Sequence, residues 1–143
     1  MRPQEADRVR WSDLGEDVLT IDATTSKVRQ RRLVNLEPAT RAWLNIARKL
    51  NADLPLPPTS RRRYQRELRE VFGWRHWPKD VLRHSCASYL LALKRDAQAV
   101  ALELGNSPTI LFKHYRELVS QEQARRFWNL IPRSERHAQP TIH

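Results

Sequence analysis

The apolar residues between Val81 and Leu93 recur with the period of an α-helix, and this stretch constrains the fold most. Its apolar positions on one helical face are Leu82, Cys86, Tyr89, Leu90 and Leu93. Such a stripe predicts a helix that packs on one side against a core. The rest of the chain must therefore supply elements that cover this face.

Several other segments carry helix signals. Helices are predicted over residues 3–10, 38–50, 59–72, 97–104, 107–115 and 121–130. Thr59 or Ser60 is expected to cap the third of these and Asp96 the fourth, because short polar side chains can accept the first free N–H groups. Gly73 and Gly105 are expected to end two helices. In the helix over 59–72 the residues expected to pack are Tyr64, Leu68, Val71 and Phe72.

Two short β-branched segments, 18–22 and 32–36, predict paired strands. The polar segment 24–30 between them is expected to be an exposed loop that carries Lys27, Arg29 and Arg31. The sequence therefore predicts an α+β fold, mainly α, with a small antiparallel β-sheet near the amino terminus. Residues 1–132 are expected to form one domain and residues 133–143 a flexible tail.

Charge narrows the class of partner. Lys and Arg number 26 against 16 Asp and Glu, a formal net charge of +10, which indicates a polyanionic partner or simply a well-solvated surface. No apolar run approaches the roughly 20 residues of a membrane span, so the sequence favours nucleic acid and no membrane. The single cysteine, Cys86, predicts a reducing, cytoplasmic setting. The spacing of His and Cys predicts no metal site.

An arginine-rich stretch in the helix over 59–72 gives a more specific signal. Its members include Arg61, Arg62, Arg63 and Arg66. Their density exceeds what solubility requires, which favours contacts with a DNA backbone.

Five short motifs, taken in order, resemble those of the tyrosine recombinases (phage integrases). Arg2-Pro3-Gln4-Glu5 is similar to the family's first-arginine motif, and Lys27 with the segment 31–36 to its lysine-bearing hairpin. Leu82-Arg83-His84-Ser85, then Leu104-Gly105-Asn106-Ser107, then His114-Tyr115 resemble the second-arginine motif, the glycine turn and the nucleophile. The resemblance runs from Arg2 to about Pro132.

The resemblance implies the family's helical catalytic domain, acting on double-stranded DNA without metal or cofactor. Tyr115 would attack a phosphodiester and form a 3′-phosphotyrosyl bond, which site-specific recombination or integration then reverses on a second duplex. Arg2 and Arg83 would bind the charged phosphate, since planar guanidinium groups suit phosphate oxygens. Lys27 would protonate the leaving 5′-oxygen, and Asn106 would donate an amide hydrogen bond. A homo-tetramer joined through the carboxyl-terminal helix, with Phe127, Trp128 and Leu130 as anchors, is the implied assembly.

Two positions depart from the family pattern. Asp80 stands where the family has His or Lys, and Asn106 where it has His or Trp. A carboxylate beside a phosphate repels it, so Asp80 is read first as a helix cap and only second as a catalytic residue. The first arginine at residue 2 also implies a catalytic domain that is incomplete at its amino-terminal end. A non-catalytic DNA-binding remnant of an integrase is therefore the alternative function, and an RNA-associated basic protein a third.

Overall fold

The computed structural model describes residues 1–24, 31–50, 53–55, 58–115 and 119–134; the side chains of 58–61, 112, 114 and 115 lie outside this description. In chain order the helices and strands are α1 Pro3–Ala6, β1 Val18–Ile21, β2 Arg32–Asn35, α2 Pro38–Lys49, α3 Pro58–Val71, α4 Val81–Lys94, α5 Ala97–Leu104, α6 Pro108–Tyr115 and α7 Gln121–Trp128. A 3-10 turn, Trp11–Asp13, precedes β1. The predicted mainly helical α+β class is confirmed.

The two strands form the predicted antiparallel sheet. Val18 lies opposite Asn35 and Ile21 opposite Arg32. Leu19 and Ile21 are buried in a small apolar cluster with Val9. On β2 the side chain of Arg32 is inside and that of Leu33 is exposed, so a charged residue replaces an apolar one on the inner face.

The main core lies between α4, α5, α6 and α7. Its buried residues are Ala87, Leu90, Val100, Ala101, Leu104 and Leu111. Each fully buried Leu or Val contributes about 1.5–3 kcal/mol through removal of apolar surface from water. This cluster is what fixes α5 and α6 against α4.

The helix predicted from Val81 is confirmed, but its buried face is rotated from the predicted stripe. Of the predicted stripe, Leu90 is buried as expected but Leu82 is exposed, and Ala87, which lies outside the stripe, is fully buried. The inward face begins at Arg83 and ends at Lys94, because both side chains have acceptors on α5 or directly after it. Polar contacts at the two ends of α4 thus lie on the same face as its buried residues Ala87 and Leu90.

Several predicted helix boundaries are confirmed. Asp96 Oδ1 accepts hydrogen bonds from the N–H groups of Gln98 and Ala99, each 3.0 Å long. Gly105 follows α5 in the left-handed region, and α6 begins with Pro108. The predicted helix over 3–10 is shorter than expected and ends at Ala6.

The carboxyl-terminal helix packs on its own chain. The rings of Tyr89 and Phe127 stack with centroids 4.2 Å apart, and Trp128 contacts the main core. Ser120 caps the helix by accepting a hydrogen bond from the N–H of Gln123. The helix ends at Trp128 rather than at Leu130, which is exposed.

The expectations for α3 are partly wrong. It begins at Pro58, so neither Thr59 nor Ser60 precedes it as a cap. The residues expected to pack are all exposed: Tyr64, Leu68, Val71 and Phe72. The reason is that, among the described residues, α3 makes no more than isolated contacts with other helices and strands.

Candidate active site

The site is built on the turn that ends α5. Gly105 has φ of 63°, and its N–H donates to the carbonyl of Leu102 at 3.2 Å, while the N–H of Asn106 donates to that of Ala101 at 2.9 Å. This pair of bonds is a standard way for a glycine to end a helix. The last carbonyls of a helix have no intrahelical donor and form the negative end of its dipole. The turn therefore presents acceptors to cations.

Three consecutive carbonyls at this turn each accept a hydrogen bond from a different arginine. Arg32 Nε donates to the carbonyl of residue 103 at 3.1 Å. Arg83 Nη2 donates to that of residue 104 at 2.7 Å, and Arg2 Nη2 to that of residue 105 at 3.1 Å. We call Arg2, Arg32 and Arg83 the arginine cluster. The residues come from β2, α4 and the start of α1, so tertiary folding assembles them.

Asn106 belongs to the same site. Its Oδ1 atom accepts a hydrogen bond from Arg83 Nη2 at 2.7 Å. Because this contact engages the oxygen end of the amide, the Nδ2 end is the one that can donate to a phosphate oxygen. Arg83 thereby orients Asn106 in addition to supplying charge.

Glu5 contacts two members of the arginine cluster, Arg2 and Arg32. Its buried carboxylate accepts from Arg32 Nη2 at 2.5 Å and from the N–H of Arg2 at 2.7 Å. Burial alone would raise the pKa of Glu5, but these hydrogen bonds and the nearby positive charge hold it below its ordinary value. One carboxylate against three guanidinium groups leaves this contact set positive.

One nitrogen of Arg2 has no short hydrogen bond in the part of the protein that the structure describes. Its Nη1 atom is buried, lies 3.6 Å from Glu5 Oε1, and has no hydrogen-bond acceptor among the described residues. A buried donor without an acceptor is costly. A phosphate oxygen would satisfy it only after its surroundings shift, because Nη1 has almost no exposed surface.

A second buried carboxylate near the turn, that of Glu103, is paired with Lys94 and not with the arginine cluster. Glu103 is buried, and its Oε1 atom accepts from Lys94 Nζ at 2.6 Å and from Asn35 Nδ2 at 2.8 Å. Burial opposes the charged form of Lys94, yet the hydrogen bond to Glu103 and the attraction of Glu37 raise its pKa above the ordinary value. The Glu103 side chain is thus paired away from the arginine cluster.

The structure describes the side chains of only some of the predicted catalytic residues. Arg2, Arg83 and Asn106 lie together at the turn. Tyr115 is the last residue of α6, and its side chain lies outside the described ones. Lys27 lies outside the described residues altogether.

The predicted DNA-binding arginines are exposed wherever their side chains are described. They are Arg31, Arg62, Arg63 and Arg66. Arg29 and the side chain of Arg61 lie outside the description. Exposure is what a contact with a phosphate backbone requires, and it is equally what solvation gives.

Asp80 occupies the expected capping position without making the expected bond. It directly precedes α4 with φ 51° and ψ 20°, and its side chain accepts no capping hydrogen bond. A capping residue ordinarily has extended backbone, which aims its oxygen at the first N–H groups. The left-handed conformation does not direct the oxygen in this way. The predicted position of Asp80 before the helix is therefore confirmed, but the predicted capping hydrogen bond is wrong.

Sequence reasoning missed the role of Arg32 and the two buried carboxylates. Arg32 was expected only as a strand residue, although its alternation with Leu33 already placed one of the two inside. Glu103 lies three residues after the buried Val100 on a mostly apolar helix, and this spacing puts it on the buried face. A buried charge needs a partner, which is the signal that could have found the network.

The two grooves found among the described residues do not include the arginine cluster. A groove of about 480 Å³ lies elsewhere, lined by residues that include Trp11, Leu36, Arg41 and Arg48, with Arg48 Cζ 4.9 Å from the ring centroid of Trp11. Within the described part of the chain, no group of three or more His, Cys, Asp or Glu residues could hold a metal ion.

Comparisons with known proteins give no relative: no family model, curated protein or solved structure matches the chain. The described helices include none with the length and apolar character needed to cross a membrane.

Proposed function

We propose that this chain cleaves and rejoins duplex DNA as a site-specific recombinase, with Tyr115 as the nucleophile. The observation that carries the proposal is the meeting of Arg2, Arg83 and Asn106 at a single turn. These residues come from three separate parts of the chain. If this turn served stability alone, there would be no reason for it to bring together Arg2, Arg83 and Asn106, which belong to three separate motifs of the resemblance.

The arginine cluster is suited to stabilising the transition state of phosphodiester cleavage. As the phosphorus accepts a fifth oxygen, negative charge grows on the non-bridging oxygens, and donors already held in place stabilise it without reorganisation. We assign this task to Asn106 Nδ2 and to Arg2 Nη1, the latter once its surroundings shift to expose it. Each such donor contributes on the order of a hundredfold to the rate.

In the proposed step the Oη atom of Tyr115 bonds to phosphorus while the bond from phosphorus to the 5′-oxygen breaks. A phenol with a pKa near ~10 is a weak nucleophile until positive charge favours the phenolate. The product is a 3′-phosphotyrosyl ester and a free 5′-hydroxyl, to which Lys27 supplies the proton. Attack by the 5′-hydroxyl of a second duplex releases Tyr115, so the energy of the broken bond is conserved.

Exchange between two duplexes requires several active sites, and we propose a homo-tetramer on DNA. The carboxyl-terminal helix is the proposed contact between protomers. Phe127 and Trp128 pack on the same chain here, so the exposed Leu130 and the exposed face of α7 are what remain for a neighbour.

DNA binding without cleavage is the second candidate function. Asp80, half-buried and without a capping hydrogen bond, is the observation that favours it. A carboxylate one helical turn before Arg83 opposes the approach of a phosphate. The arginine cluster and the exposed arginines of α3 would then serve binding alone.

A pool of duplexes with a randomised central segment, each nicked on one strand, separates the two candidates. Cleavage near a nick releases a short fragment and traps the covalent intermediate. Denaturing electrophoresis should show a protein–DNA band with the wild-type chain and none with Tyr115→Phe. Salt-sensitive DNA binding with no covalent band in either protein would support the second candidate.

A further inference from the structure

Three aromatic rings lie against one another on the surface between α3 and α4. Phe72 and Trp74 stack with centroids 4.9 Å apart and planes 23° apart, and Trp77 meets Trp74 edge-on at 5.8 Å. We call these residues the aromatic cluster. Phe72 is 58% exposed and Trp74 37% exposed, so much of their ring area faces water despite the stacking.

Gly73 builds the stack through the backbone. Its φ of 64° is left-handed, its N–H donates to the carbonyl of Glu70 at 3.2 Å, and the N–H of Trp74 donates to that of Arg69 at 2.9 Å. This ending of α3 folds Trp74 back against Phe72. The rings are therefore held by the local chain and not by burial in the core.

The chain around the rings is positively charged. Arg69, Arg75 and Lys79 are exposed, with Glu70 as the one carboxylate between residues 69 and 79 and Asp80 directly after them. Large aromatic side chains in a soluble domain ordinarily lie inside, and an exposed apolar group rimmed by polar residues indicates a binding surface. The positive rim selects a polyanion as the partner.

We propose that the aromatic cluster binds unpaired bases of single-stranded DNA. The exposed rings of Phe72 and Trp74 stack on bases, and the surrounding cations contact the phosphates. Unpaired DNA fits better than duplex because the faces of paired bases are already stacked on their neighbours. This inference goes beyond strand cleavage, and it holds whether or not the chain forms a covalent intermediate.

Fluorescence anisotropy with labelled oligo(dT) of about 12 nucleotides, a length within the range of single-strand sites, tests this in the full-length chain. A duplex of the same length is measured in parallel at one fixed ionic strength, since both affinities depend on salt. Phe72→Ala and Trp74→Ala should each weaken oligo(dT) binding roughly 5- to 150-fold, the range expected for loss of one base stack. Duplex binding and the circular dichroism of the helices should stay unchanged.

Two variants control for the chemistry of the contact. Val71→Ala removes an exposed aliphatic neighbour and should leave oligo(dT) affinity unchanged, because an aliphatic side chain offers no stacking face. Trp74→Phe keeps an aromatic ring and should retain most of the affinity. Oligo(dT) should quench tryptophan emission in the wild-type chain, and Trp74→Phe should reduce this quenching. This measurement does not rely on the alanine variants, which remove an aromatic ring.

Four results would overturn the proposal. One is an equal loss of duplex and oligo(dT) affinity in Trp74→Ala, and another is an equal effect of Val71→Ala. Tighter binding of oligo(U) than of oligo(dT) would make RNA the partner. A changed sedimentation coefficient for the alanine variants without DNA would show that a second copy of the chain covers the rings.

Discussion

Gly105 lies directly against the guanidinium group of Arg32: a Cβ atom built at residue 105 would be 3.3 Å from Arg32 Cζ. The turn that ends α5 and the packing of the arginine cluster are therefore a single feature. Glycine is required there for two separate reasons, the left-handed backbone and the space that Arg32 occupies.

Gly105→Ala should lower the free energy of unfolding more than Gly73→Ala does. Both glycines have a positive φ, which costs about 1 kcal/mol or more with a side chain. Of these two glycines, only Gly105 has a described neighbour within 4 Å of the added carbon, and crowding adds about 1–3 kcal/mol. Urea unfolding followed by circular dichroism measures the difference. Equal losses in the two variants would mean that Arg32 moves aside without cost.

Glu5→Gln should destabilise the chain by roughly 3–5 kcal/mol, because it removes one partner of a buried ion pair. The exposed pair of Arg63 and Glu67 provides the control, and Glu67→Gln should change stability by no more than about 1 kcal/mol. Midpoints of urea unfolding at neutral pH measure both effects. The account of Glu5 is wrong if the two variants behave alike.

The stability of the wild-type chain should fall with acidification partly through Glu5. Its pKa is held below the ordinary value in the folded state, so its contribution is present above the ordinary value of 4.5 and is lost as the pH falls through the lower, folded value. Glu5→Gln lacks this carboxyl and should show a shallower loss of stability below that pH. Unfolding midpoints across the acidic range measure the two slopes, and identical slopes would contradict the assignment.

Arg83→Lys should slow formation of the covalent band by about a hundredfold or more while DNA affinity changes little. Lysine keeps the charge but cannot hold both the turn carbonyl and Asn106 from one planar group. The rate is followed with the nicked duplex selected from the pool. Arg62→Lys, at an exposed position on α3, is the matched control and should cleave at the wild-type rate. Unchanged cleavage in Arg83→Lys would remove it from the site.

Asp80→Asn should speed cleavage about fivefold, since removal of a nearby unit charge in a solvated setting is worth about 1 kcal/mol. Asparagine tolerates the left-handed conformation of this residue, and there is no capping bond to lose. Thermal unfolding should therefore be nearly unchanged. A slower variant would mean that the carboxylate takes part in the reaction.

The sequence was sufficient for the positions of the helices and strands. Local signals determine these features: the helical period of α4, the capping by Asp96 and the ends at Gly73 and Gly105. Each signal acts within a few residues, so it can be read without the rest of the fold. The segments that resemble the recombinases also gave three residues that lie together, Arg2, Arg83 and Asn106.

The rotation of α4 and the inward side chain of Arg32 could not be predicted in this way. Hydrophobic periodicity assigns charged residues to the outside, whereas Arg32 and Arg83 are held inside by the carbonyls of a distant turn. Glu103 and Lys94 lie inside because the charge of each compensates the charge of the other. The error for α3 is the reverse, because apolar residues that were predicted to be buried are exposed. Periodicity identifies an apolar face but does not show whether another element covers it.

The polarity of the covalent bond tests the central claim most directly. The nicked duplex is labelled either at the 5′ end or at the 3′ end of the cut strand, and the covalent complex is isolated under denaturing conditions. The account predicts that the 5′ label stays with the protein, that the released fragment has a free 5′-hydroxyl which a kinase can phosphorylate, and that Tyr115→Phe gives no complex. A complex that carries the 3′ label, or that forms without Tyr115, would contradict it.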